Sequence, residues 1–422
     1  MNTKTLFATD DPDFISFQYG APGKDLMPTR VMAEASAALF AVEGNYTYLQ
    51  YGPTLGSAEY LTELAKFLCA EYAVSDLSGF KQSEVNPSNL GLTAGASASF
   101  SNIITLFTTP QTKILIENPT YFLALKVLED HGFDPSAFVN ISSDVAEGLD
   151  MNALEAYLSS QNAPVEPRAA FKYTYLLYCV PTYSNPTGST ISLERRKRLV
   201  ELARAYDILV VCDDVYQLLH FSTTPPPPRL VALDLADSPS RAHVIANNSW
   251  SKIMAPGLRL GWIECHASLL AHLSASGIMN SGGSPNHIVS GIIVVGLQQG
   301  GVQRHLGMLR GEYATRMQIV CDALEAGLPS GASFRRPDGG FFVWVQLPEG
   351  HDAFEIQSAV QKGTSYRGKE LTPVKMSFAP GRLFSTDNAS VGHCLRLTFA
   401  FYSQAKLLEG VERLCALLHE AL

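Results

Sequence analysis

The chain has 422 residues, 46% of them hydrophobic and 17% charged, with a formal net charge of -9 and a sequence pI of about 5.6. That length exceeds what one compact core serves, so two domains of unequal size are expected. The acidic balance, without clustered Lys or Arg, argues against nucleic acid as a partner. Cys69, Cys179, Cys212, Cys265, Cys321, Cys394 and Cys415 are scattered with no Cys-x-x-Cys. This pattern speaks against a zinc site and a disulfide framework, and for a reducing, cytoplasmic setting. The start, Met1 to Phe14, carries Asp10, Asp11 and Asp13 and no apolar run, and nowhere does the chain approach the ~18 apolar residues of a membrane span. Neither a secretory leader nor a membrane partner is expected.

In chain order, the first clear element is a helix on which Leu61, Leu64, Ala65, Leu68 and Tyr72 form one stripe, after the glycine-punctuated segment Tyr51-Gly52-Pro53-Thr54-Leu55-Gly56. Gly91-Leu92-Thr93-Ala94-Gly95-Ala96-Ser97 then leads into an apolar helical pattern, whose first N–H groups and dipole suit a phosphate. Apolar runs at 113–116, 175–180, 208–212 and 243–246 read as parallel strands buried on both faces. Between the second and third, Ser192 caps a helix with Glu194 in its first turn and Leu199, Leu202, Ala203 and Tyr206 on its apolar face. The proline run Pro225 to Pro228 reads as a stiff surface loop. Beyond residue 300, a long helix from His305 to Gly327 precedes strands near 339–345 and 395–399. The expected architecture is a large α/β domain over 45–295, with 1–44 and 296–422 forming a smaller α+β domain.

In open α/β sheets, ligands sit beyond the carboxyl ends of the strands. Each apolar run is followed at once by chemistry-bearing residues: Tyr121 after the first, Asn185 after the second, Asp213, Asp214 and Tyr216 at the third, Ser249, Ser251 and Lys252 after the fourth. A lysine nucleophile beside hydroxyls and Arg259 suits an aldehyde that carries a phosphate. A carboxylate such as Asp213 would keep a pyridine nitrogen protonated, and Asn185 and Tyr216 would face the ring hydroxyl while Tyr121 stacks on the ring.

The block Ser249-Trp250-Ser251-Lys252-Ile253-Met254-Ala255-Pro256-Gly257-Leu258-Arg259-Leu260-Gly261-Trp262, with Asn185-Pro186-Thr187-Gly188 and Asp213-Asp214-Val215-Tyr216 in order before it, resembles the class I/II aminotransferases, the fold type I enzymes of pyridoxal 5′-phosphate (PLP). The resemblance implies a mostly parallel seven-stranded sheet sandwiched by helices. It implies Lys252 as the Schiff-base lysine and proton shuttle, and Asp213, chosen over Asp214 because Tyr216 lies three residues on, as the pyridinium partner. Ala96, Ser97, Ser249, Ser251 and Arg259 would hold the phosphate. Arg396, in Leu395-Arg396-Leu397-Thr398-Phe399, would clamp the substrate carboxylate, and Tyr51 would reach the phosphate of a second subunit in a homodimer with shared sites. No metal is implied. The N-terminal Phe17-Gln18-Tyr19-Gly20-Ala21-Pro22 is similar to the segment that lines the side-chain pocket in the 2-aminoadipate and aromatic branch, which makes Tyr19 and Gly20 substrate-binding candidates. The expected reaction is ping-pong transamination between an L-amino acid and a 2-oxo acid; elimination or cyclisation on the same cofactor is the alternative. A PLP-sensing regulator would need a DNA-binding module for which the sequence leaves no room.

Overall fold

The computed structural model describes residues 11–161 and 171–422. The first ten residues, on which the expectation of no secretory leader partly rests, lie outside them. Eight strands form the main sheet: β1 (Leu90–Thr93), β2 (Lys113–Asn118), β3 (Val139–Asp144), β4 (Gly148–Leu149), β5 (Tyr175–Cys179), β6 (Ile208–Asp213), β7 (Val244–Ser249) and β8 (Gly261–Cys265). Their spatial order is β1-β8-β7-β6-β5-β2-β3-β4. The run from β3 through β2, β5 and β6 to β7 is parallel, whereas β8 is antiparallel to both its neighbours. The seven strands anticipated from the resemblance are joined by an eighth, the two-residue edge strand β4.

Strands β5, β6 and β7 are buried along their whole length because both faces are covered. Leu176, Tyr178, Leu209 and Val211 point into one core, and Tyr175, Leu177, Cys179, Ile208, Val210 and Cys212 into the other. The helix Ala96–Phe107 lies on the first face, where Phe100 meets Tyr178 with ring centroids 4.9 Å apart. The helix Leu193–Tyr206, capped by the Ser192 side chain as its sequence anticipates, lies on the second. This alternation matters at the end of β6. Asp213 shares the parity of Leu209 and Val211 and faces the helix Ala96–Phe107, while Asp214 takes the opposite side.

The C-terminal part is built on an antiparallel sheet of β9 (Ser333–Phe334), β10 (Phe342–Gln346), β11 (Ala379–Pro380) and β12 (Cys394–Thr398), in the order β9-β10-β12-β11. The helices Gly301–Gly327 and Gln404–Ala421 pack together beside it. Ile15–Ser16 pairs in parallel with Met376–Ser377, and Phe17 O accepts from the Thr398 N–H at 3.1 Å. The N-terminal strap is thereby fixed along this second sheet before the helix Thr29–Phe40 packs on the helix His287–Gln298. No helix among the described residues is long and apolar enough to cross a membrane.

The proline run departs from its sequence reading. Pro225 is exposed, but Pro226 and Pro228 are buried. Prolines have no N–H to satisfy, which makes their burial cheap, and the run delivers Arg229 into the core. There Arg229 forms a bidentate pair with Glu264 at 2.8 and 3.1 Å, donates to Gln82 O at 2.9 Å and lies 3.8 Å over the Tyr72 ring. Replacement of one member strands the other charge in the core. Arg229→Met is therefore expected to lower stability by about 3–5 kcal/mol, read as a fall in the urea midpoint. Adding Glu264→Leu should restore much of the loss.

Candidate active site

The carboxyl ends of β2, β5, β6 and β7 open onto one cavity of about 340 Å³. Because β8 runs the other way, its entry lies at the same rim and brings Arg259, just before Gly261, to the site. Ala96, Ser97, Tyr121, Asn185, Asp213, Tyr216, Ser249, Ser251, Lys252, Arg259 and Arg396 all line it, together with Gly20 from the N-terminal strap. Tyr51 and Tyr19 do not. Tyr51 is 84% exposed on the outer surface. The Tyr19 ring packs edge-on against Phe401, centroids 4.9 Å apart, which holds it beside the cavity while Gly20 enters.

The Lys252 ammonium donates to Gly20 O at 2.6 Å. Burial pulls its pKa from 10.5 down to about 8; Asp213 opposes that fall, and Arg396 and Arg259 add to it. Asp213 Oδ2 accepts from the Tyr178 hydroxyl at 2.6 Å, and Oδ1 is buried with no partner. Burial raises this carboxyl to about 6, against the opposing effects of Tyr178 and Lys252. Asp214 is also buried but does not line the cavity; its Oδ1 accepts from Thr182 at 3.2 Å.

Arg396, on β12, crosses from the second sheet into the cavity. Its Nη1 donates to Asn185 Oδ1 at 2.6 Å and its Nη2 to Gln18 O at 2.7 Å, while Nε has no partner. Arg396 as a whole is 2% exposed; its guanidinium lies 4.1 Å from the Phe342 ring centroid and pairs with no carboxylate among the described residues. Burial draws it down to about 10. A desolvated arginine that lacks an anion is suited to capture one. Burial also raises the phenols of Tyr121, to about 12, and Tyr216, which keeps both protonated.

At the opposite side, the helix Ala96–Phe107 begins at Gly95 with no side-chain cap. Gly95 has φ 91°, and a Cβ there would stand 3.4 Å from Arg259 Nη2. Uncapped N–H groups, the Ser249 and Ser251 hydroxyls joined at 2.9 Å, and the Arg259 guanidinium thus converge. Several participants escaped the sequence reading. Gln18 acts through its main-chain carbonyl, which no side-chain motif reveals, and Gly20, anticipated at the substrate, meets Lys252 in the same way. Tyr178 carried a usable signal, since it shares the helix-facing parity of Leu176 on the strand next to Asp213. Asn247 Nδ2 donates to Ala96 O at 2.9 Å and ties β7 to the helix start.

These residues fit PLP. The unpartnered Asp213 Oδ1 lacks the donor that a pyridinium N–H would supply, the open helix start with Arg259 accepts a phosphate, and Lys252 presents an amine. The family model described as aminotransferase class I and II matches residues 13–414. The chain belongs to this family. An aromatic-amino-acid aminotransferase from Thermococcus litoralis is 29% identical over 98% of this chain and 90% of its own length. A 2-aminoadipate transaminase from Thermus thermophilus is 29% identical over 97% of this chain and 91% of its own. Among solved structures, the Pyrococcus horikoshii kynurenine aminotransferase superposes with a TM-score of 0.79 at 28% identity, covering 97% of this chain and 92% of that one. The protein is an aminotransferase, and its sheet is that of fold type I.

The Tyr178 hydroxyl favours the ionised form of Asp213, so its removal should lift the carboxyl further above its ordinary range. Affinity of the unloaded aminotransferase for PLP is expected to fall as pH drops through about 6. In Tyr178→Phe that midpoint should move up by about one pH unit, measured by fluorescence titration across pH.

Proposed function

We propose that the aminotransferase works through PLP held covalently by Lys252, and that it exchanges amino groups between an L-amino acid and a 2-oxo acid in two half-reactions. One observation carries the reading: a lysine amine of lowered basicity and a buried carboxylate oxygen without a partner share one cavity with an arginine that lacks an anion. The family match and the Pyrococcus horikoshii structure, described in complex with PMP and kynurenine, support it.

When bound, PLP supplies an electron sink for the pair left on the substrate α-carbon. Asp213 accepts the ring N–H at Oδ1 and holds that proton in place, while Tyr178 keeps Oδ2 occupied. Ala96, Ser97, Ser249, Ser251 and Arg259 hold the phosphate. Tyr121 would stack on the ring, and Asn185 and Tyr216 would donate toward its hydroxyl. Arg396 binds the substrate carboxylate; Gln18 O and Asn185 Oδ1, which now satisfy its two terminal nitrogens, keep the fork oriented. Gly20, with Tyr19 behind it, borders the substrate side chain. The Lys252 Nζ would be the base for the substrate α-proton; a pKa near 8 leaves a useful fraction of neutral amine near neutral pH.

The same reading divides the chain into a PLP-binding part, residues 45–295, and a smaller part, residues 1–44 and 296–422. It makes the enzyme a cytoplasmic homodimer in which Tyr51 reaches the phosphate of the second copy. Val42, Tyr46, Leu49 and Tyr51, exposed within ten residues of one another, are apolar surface that a second copy would cover.

The loaded enzyme, titrated with a panel of amino acids, should convert its cofactor one-for-one to pyridoxamine phosphate as the matching 2-oxo acid appears. Lys252→Ala should lose on the order of 10³-fold or more in turnover. Release of ammonia or of an unsaturated product in place of pyridoxamine phosphate would overturn transamination.

A further inference from the structure

Behind the cavity, the loop 181–191 that carries Asn185 closes on its own backbone. The Ile191 N–H donates to Pro181 O at 2.9 Å, the Ser184 N–H to Ser189 O at 2.8 Å and the Gly188 N–H to Ser184 O at 2.7 Å. Both ends of the loop are gripped by one side chain from the helix that follows. Arg196 Nε donates to Ile191 O at 2.8 Å, and Nη2 donates to Pro181 O at 2.8 Å and to Thr182 Oγ1 at 2.9 Å. Nη1 reaches Pro228 O, on the buried proline run, at 3.1 Å.

This guanidinium is 0% exposed and forms no ion pair among the described residues. Its nearest link to a negative charge passes through Thr182, whose hydroxyl donates to Asp214 Oδ1. Burial pulls Arg196 down and pushes Asp214 up, and each charge opposes the shift of the other. A cation in such a place is expensive, and an apolar residue of similar volume would pack there at less cost. What the planar fork adds is geometry. Fixed donors meet acceptors at the first two positions and the last position of one loop, a pattern that a point charge on a flexible stem does not reproduce. Between those gripped ends, Asn185 Oδ1 meets Arg396 Nη1.

We propose that Arg196 is a positioning residue for transamination: it acts through the loop 181–191 to fix Asn185, and through Asn185 it fixes the Arg396 fork that receives the substrate carboxylate. The proposal rests on the reading of Arg396 and Asn185 given above. It predicts that Arg196 has no effect on substrate binding once the Asn185 amide is gone.

A double-mutant cycle on the PLP-loaded enzyme tests this, with the amino acid identified by the titration as substrate. Arg196→Lys is expected to raise KM for the amino acid about tenfold while kcat changes less than about threefold. In the Asn185→Ala background, Arg196→Lys should change KM less than about twofold. Thr182→Val, which removes one acceptor of the fork and leaves the charge, serves if Arg196→Lys does not fold. It should raise KM about threefold, and again only when Asn185 is present. Effects that multiply in the cycle would mean that Arg196 supports the fold without acting through Asn185, and an unchanged KM in Arg196→Lys would equally overturn the proposal. Should Asn185→Ala alone leave KM unchanged, the reading that Asn185 orients the Arg396 fork fails and takes the proposal with it.

Discussion

Charges held out of water without their complements set the demands that the rest of the molecule meets. Asp213 keeps a carboxylate oxygen buried and unpartnered, and Arg396 keeps a guanidinium buried without an anion. Burial raises the Asp213 carboxyl from 3.8 to about 6, so its charged form is held there at a cost of about 3 kcal/mol. Such an arrangement persists only where the surrounding core over-determines it.

Main-chain and buried side-chain groups do the holding. Lys252 and Arg396 are each steadied by a carbonyl of the N-terminal strap, from Gly20 and Gln18, and the strap is in turn hydrogen-bonded to the second sheet at Phe17. The Gln18 side chain donates to Phe378 O at 2.8 Å, which fixes the peptide that faces Arg396. Glu117, at the end of β2, accepts from the Val180 N–H at 2.9 Å and from Ser143 at 3.0 Å, so three neighbouring strands are tied where the loops depart. Burial lifts this carboxyl to about 7. Arg196 and Arg229 do related work deeper in: each cross-links segments far apart in sequence, and the proline run supplies the carbonyl for one and the backbone leading to the other.

Two layers of ligand recognition result. The side facing the helix Ala96–Phe107 gathers donors for an anion from an uncapped helix start, two hydroxyls and Arg259. The side facing β12 and the strap presents Arg396 for a second anion. Lys252 Nζ lies 5.8 Å from the ring centroids of both Tyr216 and Phe341. The two sets of donors and the Lys252 amine line one cavity.

By itself the sequence determined the strands, since apolar runs at 113–116, 175–180 and 208–212 bury on both faces wherever they pair, and it determined which residues follow them. Tyr121, Asn185, Asp213 and Lys252 were legible because a strand end delivers what comes next to the rim. The helix over Ala58–Tyr72 and the Ser192 cap were legible because periodicity and capping are local. The tertiary structure alone decided that β8 runs antiparallel and so brings Arg259 back to that rim, and that the N-terminal strap reaches across to Arg396 and Lys252. It also decided that Pro226 and Pro228 turn inward with Arg229, and that Tyr19 packs on Phe401 beside the cavity. These outcomes depend on contacts outside the local segment, up to 378 positions apart for Gln18 and Arg396, and on main-chain carbonyls, and neither leaves a mark in the local pattern of side chains.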